Sequence, residues 1–134
     1  MEKALHLHEV LYVSTLSPDS PVTVVSQIAA KARTANEAAG VTGLLVFDGM
    51  RFCQQIEGPR KQVLGLIERI RQDPRHVNVE ILHHAPLAKR RFRRFSLGYV
   101  TVDDVEVLAC IEEAGPERAM AQFLALLPSV DLDS

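Results

Sequence analysis

The segment Phe52-Cys53-Gln54-Gln55-Ile56-Glu57-Gly58 decides the fold of this chain, because it follows an Asp48-Gly49 pair that predicts a two-residue β-hairpin. The segment is then the returning strand of that hairpin. Alternate residues of a strand face opposite sides of the sheet, so Phe52, Gln54 and Ile56 share one face. Gln54 therefore brings a polar amide to an apolar face. Since a buried amide without a partner costs about 1–3 kcal/mol, we expect a polar partner beside it.

A second polar amide lies on the helix that is predicted before the hairpin. Ser20 can cap this helix, Pro21 can occupy its first position and Gly40 can end it. One face of the helix carries small and apolar residues with a single amide among them: Val25, Ile28, Ala29, Ala32, Asn36 and Ala39. Because alanines leave space between a helix and its neighbours, a flat ligand with a polar edge could lie there.

The remaining segments predict the element order β-α-β-β-α-β-β, followed by two short helices. Strands are expected at 7–14, 41–47, 51–56, 77–82 and 95–102, and helices at 20–39, at 58–72, from an Asp103–Glu106 capping box and from Pro116. This order predicts an α+β, ferredoxin-like sandwich with two helices on one face of a mixed five-stranded sheet. Several strands are apolar on both faces, so the two C-terminal helices should cover the other face. We expect residues 1–102 to hold the ligand and residues 103–134 to form a C-terminal cap or output segment of the same domain.

The bulk composition excludes several classes of protein. A chain of 134 residues fits one domain, and its net charge of −2 predicts no affinity for nucleic acid or membranes. No apolar run approaches the roughly 20 residues of a membrane helix. The two cysteines, Cys53 and Cys110, form no CxxC pair, which favours a reducing cytoplasm and argues against a zinc site.

Tyr12 is the third polar group expected at the same place. On the first strand, Val10, Tyr12 and Ser14 share a face, so Tyr12 can point to the same side of the sheet as Gln54. A tyrosine such as Tyr12, taken in isolation, is more often a core residue with a satisfied hydroxyl. Together with Asn36 and Gln54, however, a phenol and two amides around a flat space could recognise a heteroaromatic ring that has donor and acceptor edges.

With these residues in view, the chain resembles the BLUF family, the blue-light sensors that use FAD, over about residues 7–100. The matching pieces are Leu11-Tyr12-Val13-Ser14, Ala32-Arg33-Thr34-Ala35-Asn36, Gly40-Val41-Thr42-Gly43-Leu44-Leu45, Phe52-Cys53-Gln54-Gln55-Ile56-Glu57-Gly58, Asp73-Pro74-Arg75-His76, Arg91-Phe92 and Phe95-Ser96-Leu97-Gly98. Each piece alone is weak evidence, but their order and spacing are typical of the family.

The resemblance implies a non-covalently bound FAD, with Tyr12 as the photoactive tyrosine and Gln54 as the switching glutamine. It implies further cofactor contacts from Asn36, Arg33, Arg75, His76, Ala32, Ile28, Phe52 and Leu97. The implied protein is a cytoplasmic sensor rather than an enzyme. Its signal would pass through the last strand and the C-terminal helices to a downstream protein partner, and a homo-oligomer is expected.

The chain also departs from the family pattern. Phe95 and Leu97 stand where the family commonly has Trp and Met, while Ala32 and Ala35 replace a usual serine and asparagine. Phenylalanine is a poor electron donor and leucine has no thioether. The alternative is therefore an interaction module that keeps the fold without photochemistry.

The residues also suggest and limit other interpretations. A small enzyme of the acylphosphatase type needs an arginine at the first strand–helix turn, which is absent from Ser14–Pro18. The basic run Lys89–Arg94 could be a solvated loop, a partner-docking patch or, least favoured, a nucleic-acid contact. His76 could contact the cofactor or lie on the surface. His83 and His84 are expected in a loop or at an edge, without the spacing of a metal site.

Overall fold

The computed structural model describes residues 6–92 and 97–126, and these residues form an α+β sandwich as the sequence predicts. The elements, in chain order, are β1 (Leu7–Leu16), α1 (Val24–Ala39), β2 (Thr42–Phe47), β3 (Arg51–Pro59), α2 (Arg60–Gln72), β4 (His76–Leu87), β5 (Gly98–Thr101), α3 (Val105–Glu113) and α4 (Pro116–Leu124). Their order is the predicted one.

The five strands form one mixed sheet in the order β4-β1-β3-β2-β5, with β3 at its centre. Only the β2–β5 pair is parallel among the described strands. Tyr12 on β1 and Gln54 on β3 are direct cross-strand partners. The two polar side chains that the sequence predicts to converge therefore start from opposed backbone positions.

Helices cover both faces of the sheet. Val25 and Ile28 of α1 pack with Leu45 and Phe52, and residues of α2 pack with Tyr12 in a neighbouring cluster. On the other face, α3 and α4 contribute Leu108, Ile111, Ala119, Met120 and Phe123 to a cluster with residues of β1, β2 and β3. This arrangement confirms the prediction that the C-terminal helices cover the second face.

The start of α1 differs from the prediction. The Ser20 amide donates to the Ser17 carbonyl at 2.9 Å, which closes a turn, and α1 begins only at Val24 after Thr23. Ser20 therefore does not cap the helix, and Pro21 is not its first residue. At the other end Gly40 terminates α1 as predicted, in the left-handed region at φ 72°.

The hairpin turn lies one residue later than predicted. The Asp48 amide donates to the Arg51 carbonyl at 3.1 Å, so Gly49 and Met50 form the tip. Gly49 supplies the positive φ of 98° that this turn requires. The Asp48 carboxylate instead accepts hydrogen bonds from the Met50 and Arg51 amides, which fixes the turn.

Three later boundaries also differ. β4 is twice the predicted length because it pairs along all of β1, so His83 and His84 lie within the strand rather than after it. β5 is shorter than predicted, and Phe95 lies outside the described residues, as do residues 127–134 of the predicted C-terminal segment. The cap of α3 is Asp104, whose carboxylate accepts from the Glu106 amide, rather than Asp103.

Across residues 6–92 and 97–126, none of the helices combines the length and the apolar character needed to cross a bilayer.

Candidate functional site

A cavity of about 200 Å³ lies between the sheet and the helices α1 and α2. The predicted space beside the alanines of α1 is therefore present. The cavity is lined by Tyr12, Ile28, Lys31, Ala32, Ala35, Asn36, Leu45, Gln54, Ile56, Leu66, Arg69, Ile70, Asp73, Arg75 and His76. Seven of the ten residues that the resemblance implies as cofactor contacts are on this wall, and they come from five different elements or turns.

Tyr12 and Gln54 are joined by a hydrogen bond at the cavity wall. The Tyr12 hydroxyl donates to Oε1 of Gln54, and both side chains are buried. Burial raises the pKa of the Tyr12 phenol well above its usual range, so the hydroxyl keeps its proton at neutral pH. The carbonyl end of the Gln54 amide accordingly faces Tyr12, and the NH₂ end is turned away from it.

Asn36 reaches the cavity from the last turn of α1. Its backbone carbonyl accepts from the Val41 amide at 2.8 Å, so the chain leaves the helix at a fixed point after Gly40. The Asn36 side chain is buried, and Ala32 and Ala35 line the wall beside it. The small methyl groups keep the helix from filling the space in front of the sheet.

His76 lies on the cavity wall and is not a surface histidine. Its Nδ1 is hydrogen-bonded to Oγ of Ser14 at 2.9 Å, and its ring lies 4.6 Å from that of Phe52. Burial lowers the pKa of His76, which favours the neutral ring at physiological pH. Phe52 thus packs against the ring of His76 and does not itself line the cavity.

Cationic side chains stand at the rim, where α1 and α2 face each other. The predicted Arg75 pairs with Asp73 at 2.7 Å, and this hydrogen bond lowers the pKa of the Asp73 carboxyl. Lys31 and Arg69 also line the cavity, although nothing in the sequence pattern singles them out. Helical spacing puts Lys31 on the face of α1 opposite its small and apolar residues, but its long, flexible side chain next to Ala32 can reach the opening.

Arg33 and Leu97 are the other two expected contacts that are not on the cavity wall. The Arg33 Nε donates to the Leu97 carbonyl at 3.1 Å, which ties α1 to the residue before β5. Leu97 is buried in the cluster formed by α1 and the sheet. Both residues therefore support the elements around the cavity.

The basic run after β4 is not simply solvated. Arg91 forms an ion pair with Glu9 at 2.8 Å, and Arg90 donates to the Gly40 carbonyl and to Thr42. Arg93 and Arg94 lie outside the described residues. Over the described parts of the chain, no cluster of three His, Cys, Asp or Glu side chains is arranged to hold a metal ion.

Comparison with known proteins agrees with this geometry. Over 88 residues the chain is 41% identical to the blue light- and temperature-regulated antirepressor BluF of Escherichia coli (strain K12), a match that covers 64% of this chain and 21% of that protein. It is 38% identical over 79 residues to the photoactivated adenylate cyclase subunit beta of Euglena gracilis, covering 59% of this chain and 9% of that protein. The chain thus spans only a small part of these relatives.

A solved structure of the same kind is similar over nearly its whole length. The dark-state structure of BlrB, a BLUF protein, superimposes with a TM-score of 0.79 at 28% identity, covering 92% of this chain and 96% of that one. Residues 7–98 match the family described as BLUF, sensors of blue-light using FAD. The chain therefore belongs to the BLUF family of FAD-based blue-light sensors.

Proposed function

We propose that this chain senses blue light through the hydrogen bond between Tyr12 and Gln54, with the flavin ring of FAD held in the cavity. The observation that carries the proposal is the direct bond between these two buried side chains at the cavity wall. The family membership supplies the cofactor and the class of function. The assignment of individual residues in this chain rests on the geometry.

The cavity fits the ring portion of FAD in size and chemistry. Its volume of about 200 Å³ is below the roughly 300–1,000 Å³ of pockets that enclose a whole ligand, so the remainder of the cofactor would extend past the rim. Asn36 and Gln54 offer amide groups to the polar edge of the ring. Lys31 and Arg69 offer cations to a diphosphate at the opening, and Arg75 stands beside them in its ion pair with Asp73.

Tyr12 and Gln54 provide the chemistry of the switch. When bound, FAD supplies a strong oxidant on absorbing blue light. Tyr12 can give up an electron together with its hydroxyl proton, and Oε1 of Gln54 already accepts that hydrogen bond. The Gln54 amide has one donor end and one acceptor end, so rotation or tautomerisation changes the hydrogen bond that it offers to the ring.

The signal is proposed to leave the site through β5 and the C-terminal helices. Arg33 links α1 to Leu97 before β5, and the Val102 amide donates to the Phe47 carbonyl at 3.0 Å after it. Helix α3 follows directly, and its Glu112 lies 3.6 Å from Arg51 on β3. The receiver would be a downstream protein or a second copy of the chain.

The two relatives named above are an antirepressor and a cyclase subunit, so one sensing unit can serve different outputs. A cytoplasmic location is part of the proposal, and two free cysteines in the described residues support it.

The test is the absorption spectrum of the FAD-loaded protein before and after blue light. A small red shift that recovers in darkness is expected, because one hydrogen bond to the ring changes. Tyr12→Phe and Gln54→Leu should bind FAD and lose the shift, whereas Tyr99→Phe, away from the cavity, should keep it. FAD binding without a shift would overturn the switching proposal, and failure to bind FAD would favour the interaction module.

A further inference from the structure

A second polar network lies on the opposite face of the sheet, directly behind the Tyr12–Gln54 pair. Glu9, Gln55 and Glu57 are each at most 1% exposed. Two carboxylates and an amide in this position are costly unless they are paired. Neither the flavin cavity nor the proposed photochemistry uses them.

Gln55 is held in a single orientation by the two carboxylates. Its Nε2 donates to Oε1 of Glu9 and to Oε1 of Glu57, both at 3.0 Å. Its own Oε1 is buried and has no hydrogen-bond partner among the described residues. If the amide turned over, that oxygen would face two carboxylate oxygens, so the unpaired acceptor is the consequence of using both amide hydrogens.

The two carboxylates extend the network to four strands and the following loop. Glu9 accepts from the Arg91 side chain at 2.8 and 3.1 Å and lies 3.1 Å from Nε2 of His83 on β4. Glu57 accepts from the Thr42 hydroxyl on β2 at 2.7 Å, and from the backbone amides of Arg91 and Phe92 at 2.9 and 2.8 Å. The network thus ties β1, β2, β3 and β4 to residues 90–92.

The network crosses the same strand pair that positions the photoactive residues. Glu9 is the cross-strand partner of Glu57, and Tyr12 is the partner of Gln54 three residues further along β1. Gln55 follows Gln54 on β3 and points to the other face. A shift of β1 against β3 would therefore disturb the Tyr12–Gln54 contact and the bonds of Gln55 together.

We propose that Gln55 is a positioning residue. Through its hydrogen bonds to Glu9 and Glu57 it holds β1 against β3, so that the Tyr12 hydroxyl contacts Gln54. Gln55 stays fixed, so that the adjacent Gln54 can change its hydrogen bond while the backbone of β3 stays in place. The part of this inference that concerns light rests on the proposed function. The contact itself can be measured without light.

The first readout is the NMR signal of the Tyr12 hydroxyl proton, recorded with and without FAD. The hydrogen bond to buried Gln54 protects this proton from exchange with solvent. Gln55→Met removes both donors at similar volume, and Glu9→Gln removes the charge that accepts from Arg91. Both variants should shift or broaden the signal and speed hydrogen exchange at the Arg91 and Phe92 amides.

The second readout is the dark recovery of the FAD-loaded protein after blue light. Loss of one of these hydrogen bonds should change the recovery rate by about two- to tenfold, while FAD stays bound. The matched control is Glu80→Gln, an exposed position on β4, which should change neither readout.

The outcomes separate the two proposals. A Tyr12 signal and a recovery rate that stay the same in both network variants would overturn the positioning role. A wild-type protein that shows no light-induced shift would refute the proposed function, yet the Tyr12 signal would still decide whether Gln55 positions the contact. If Gln55→Met does not fold, Glu9→Gln still tests the positioning role, because it replaces the charged acceptor of Gln55 with a weaker neutral one at the same side-chain size.

Discussion

Glu9 carries a charge inside the protein, and its ionisation should be visible in the stability of the fold. Burial alone would raise the pKa of this carboxyl, but hydrogen bonds from Arg91 and Gln55 hold it below the ordinary value of 4.5. A pKa that is lower in the folded than in the unfolded chain adds stability above the unfolded pKa. That stability is lost as the pH falls through the folded value.

We therefore expect Glu9→Gln to lower the free energy of unfolding at neutral pH. This loss of stability should become progressively smaller below pH 4.5. Urea unfolding of both proteins across this pH range measures the difference. Glu80→Gln, which is exposed on the neighbouring strand, should leave the free energy of unfolding nearly unchanged. A stability gap for Glu9→Gln that did not change with pH would contradict the expectation.

The sequence predicted Tyr12 and Gln54 but missed Gln55, Glu9 and Glu57. Strand alternation tells which face a residue takes, and a polar residue on an apolar face is conspicuous for that reason. It does not tell which residues of other strands stand opposite, because register depends on pairing across the whole sheet. The contact of Arg91 with buried Glu9 could not be predicted either, since the two residues lie 82 positions apart.

At the level of elements, two glycines with different surroundings make a matched test. A Cβ on Gly43 of β2 would lie 2.1 Å from the Gln55 carbonyl oxygen, so β2 and β3 could not keep their spacing. A Cβ on Gly65, within α2, would meet nothing within 4 Å. Alanine also favours the helical backbone over glycine by roughly 0.5–1 kcal/mol.

Gly43→Ala should therefore destabilise the protein severely, and Gly65→Ala should stabilise it by about 0.5–1 kcal/mol. Thermal unfolding followed by circular dichroism separates the two effects in sign. A mild effect of Gly43→Ala would mean that the central strands can move apart at this point. A loss of stability in Gly65→Ala would show that a neighbouring group comes closer to Gly65 than the open space around it indicates.

The order of the elements followed from hydrophobic periodicity, while several boundaries did not. α1 starts late because the Val24 and Val25 amides donate to the Pro21 and Val22 carbonyls, each three residues earlier, which forms tight turns in place of the first helical turn. β4 continues to Leu87 because β1 offers ten residues to pair with, which the composition of β4 alone does not show. Boundaries set by a distant partner are not encoded locally.

For the molecule as a whole, the two C-terminal helices close a face that would otherwise be apolar. Leu11, Val13 and Val46 of the sheet are buried under Leu108 and Phe123. The sequence predicted this cover because several strands are apolar on both faces. Which residues the helices contact could not be predicted, however, because those contacts depend on how the five strands pair.

We expect a chain that ends at residue 102 to fail to fold or to aggregate, whereas the full chain should remain monodisperse. Phe123→Ala in the full chain should cost about 3–5 kcal/mol, because the ring is completely buried. Circular dichroism and size-exclusion chromatography test both. A stable protein of residues 1–102 would show instead that residues 103–134 form a separate unit.

β4 has a consequence for solubility that follows from its place at the border of the sheet. In the described residues its outer side meets no other strand, and a strand edge of this kind can recruit a foreign chain into a growing fibril. Asn78 takes a left-handed backbone conformation at φ 55°, and Pro86 lacks an amide hydrogen. Register shifts further bend the pairing with β1. These interruptions leave no long, regular row of free amide and carbonyl groups, so the border of the sheet is protected against chain-to-chain polymerisation.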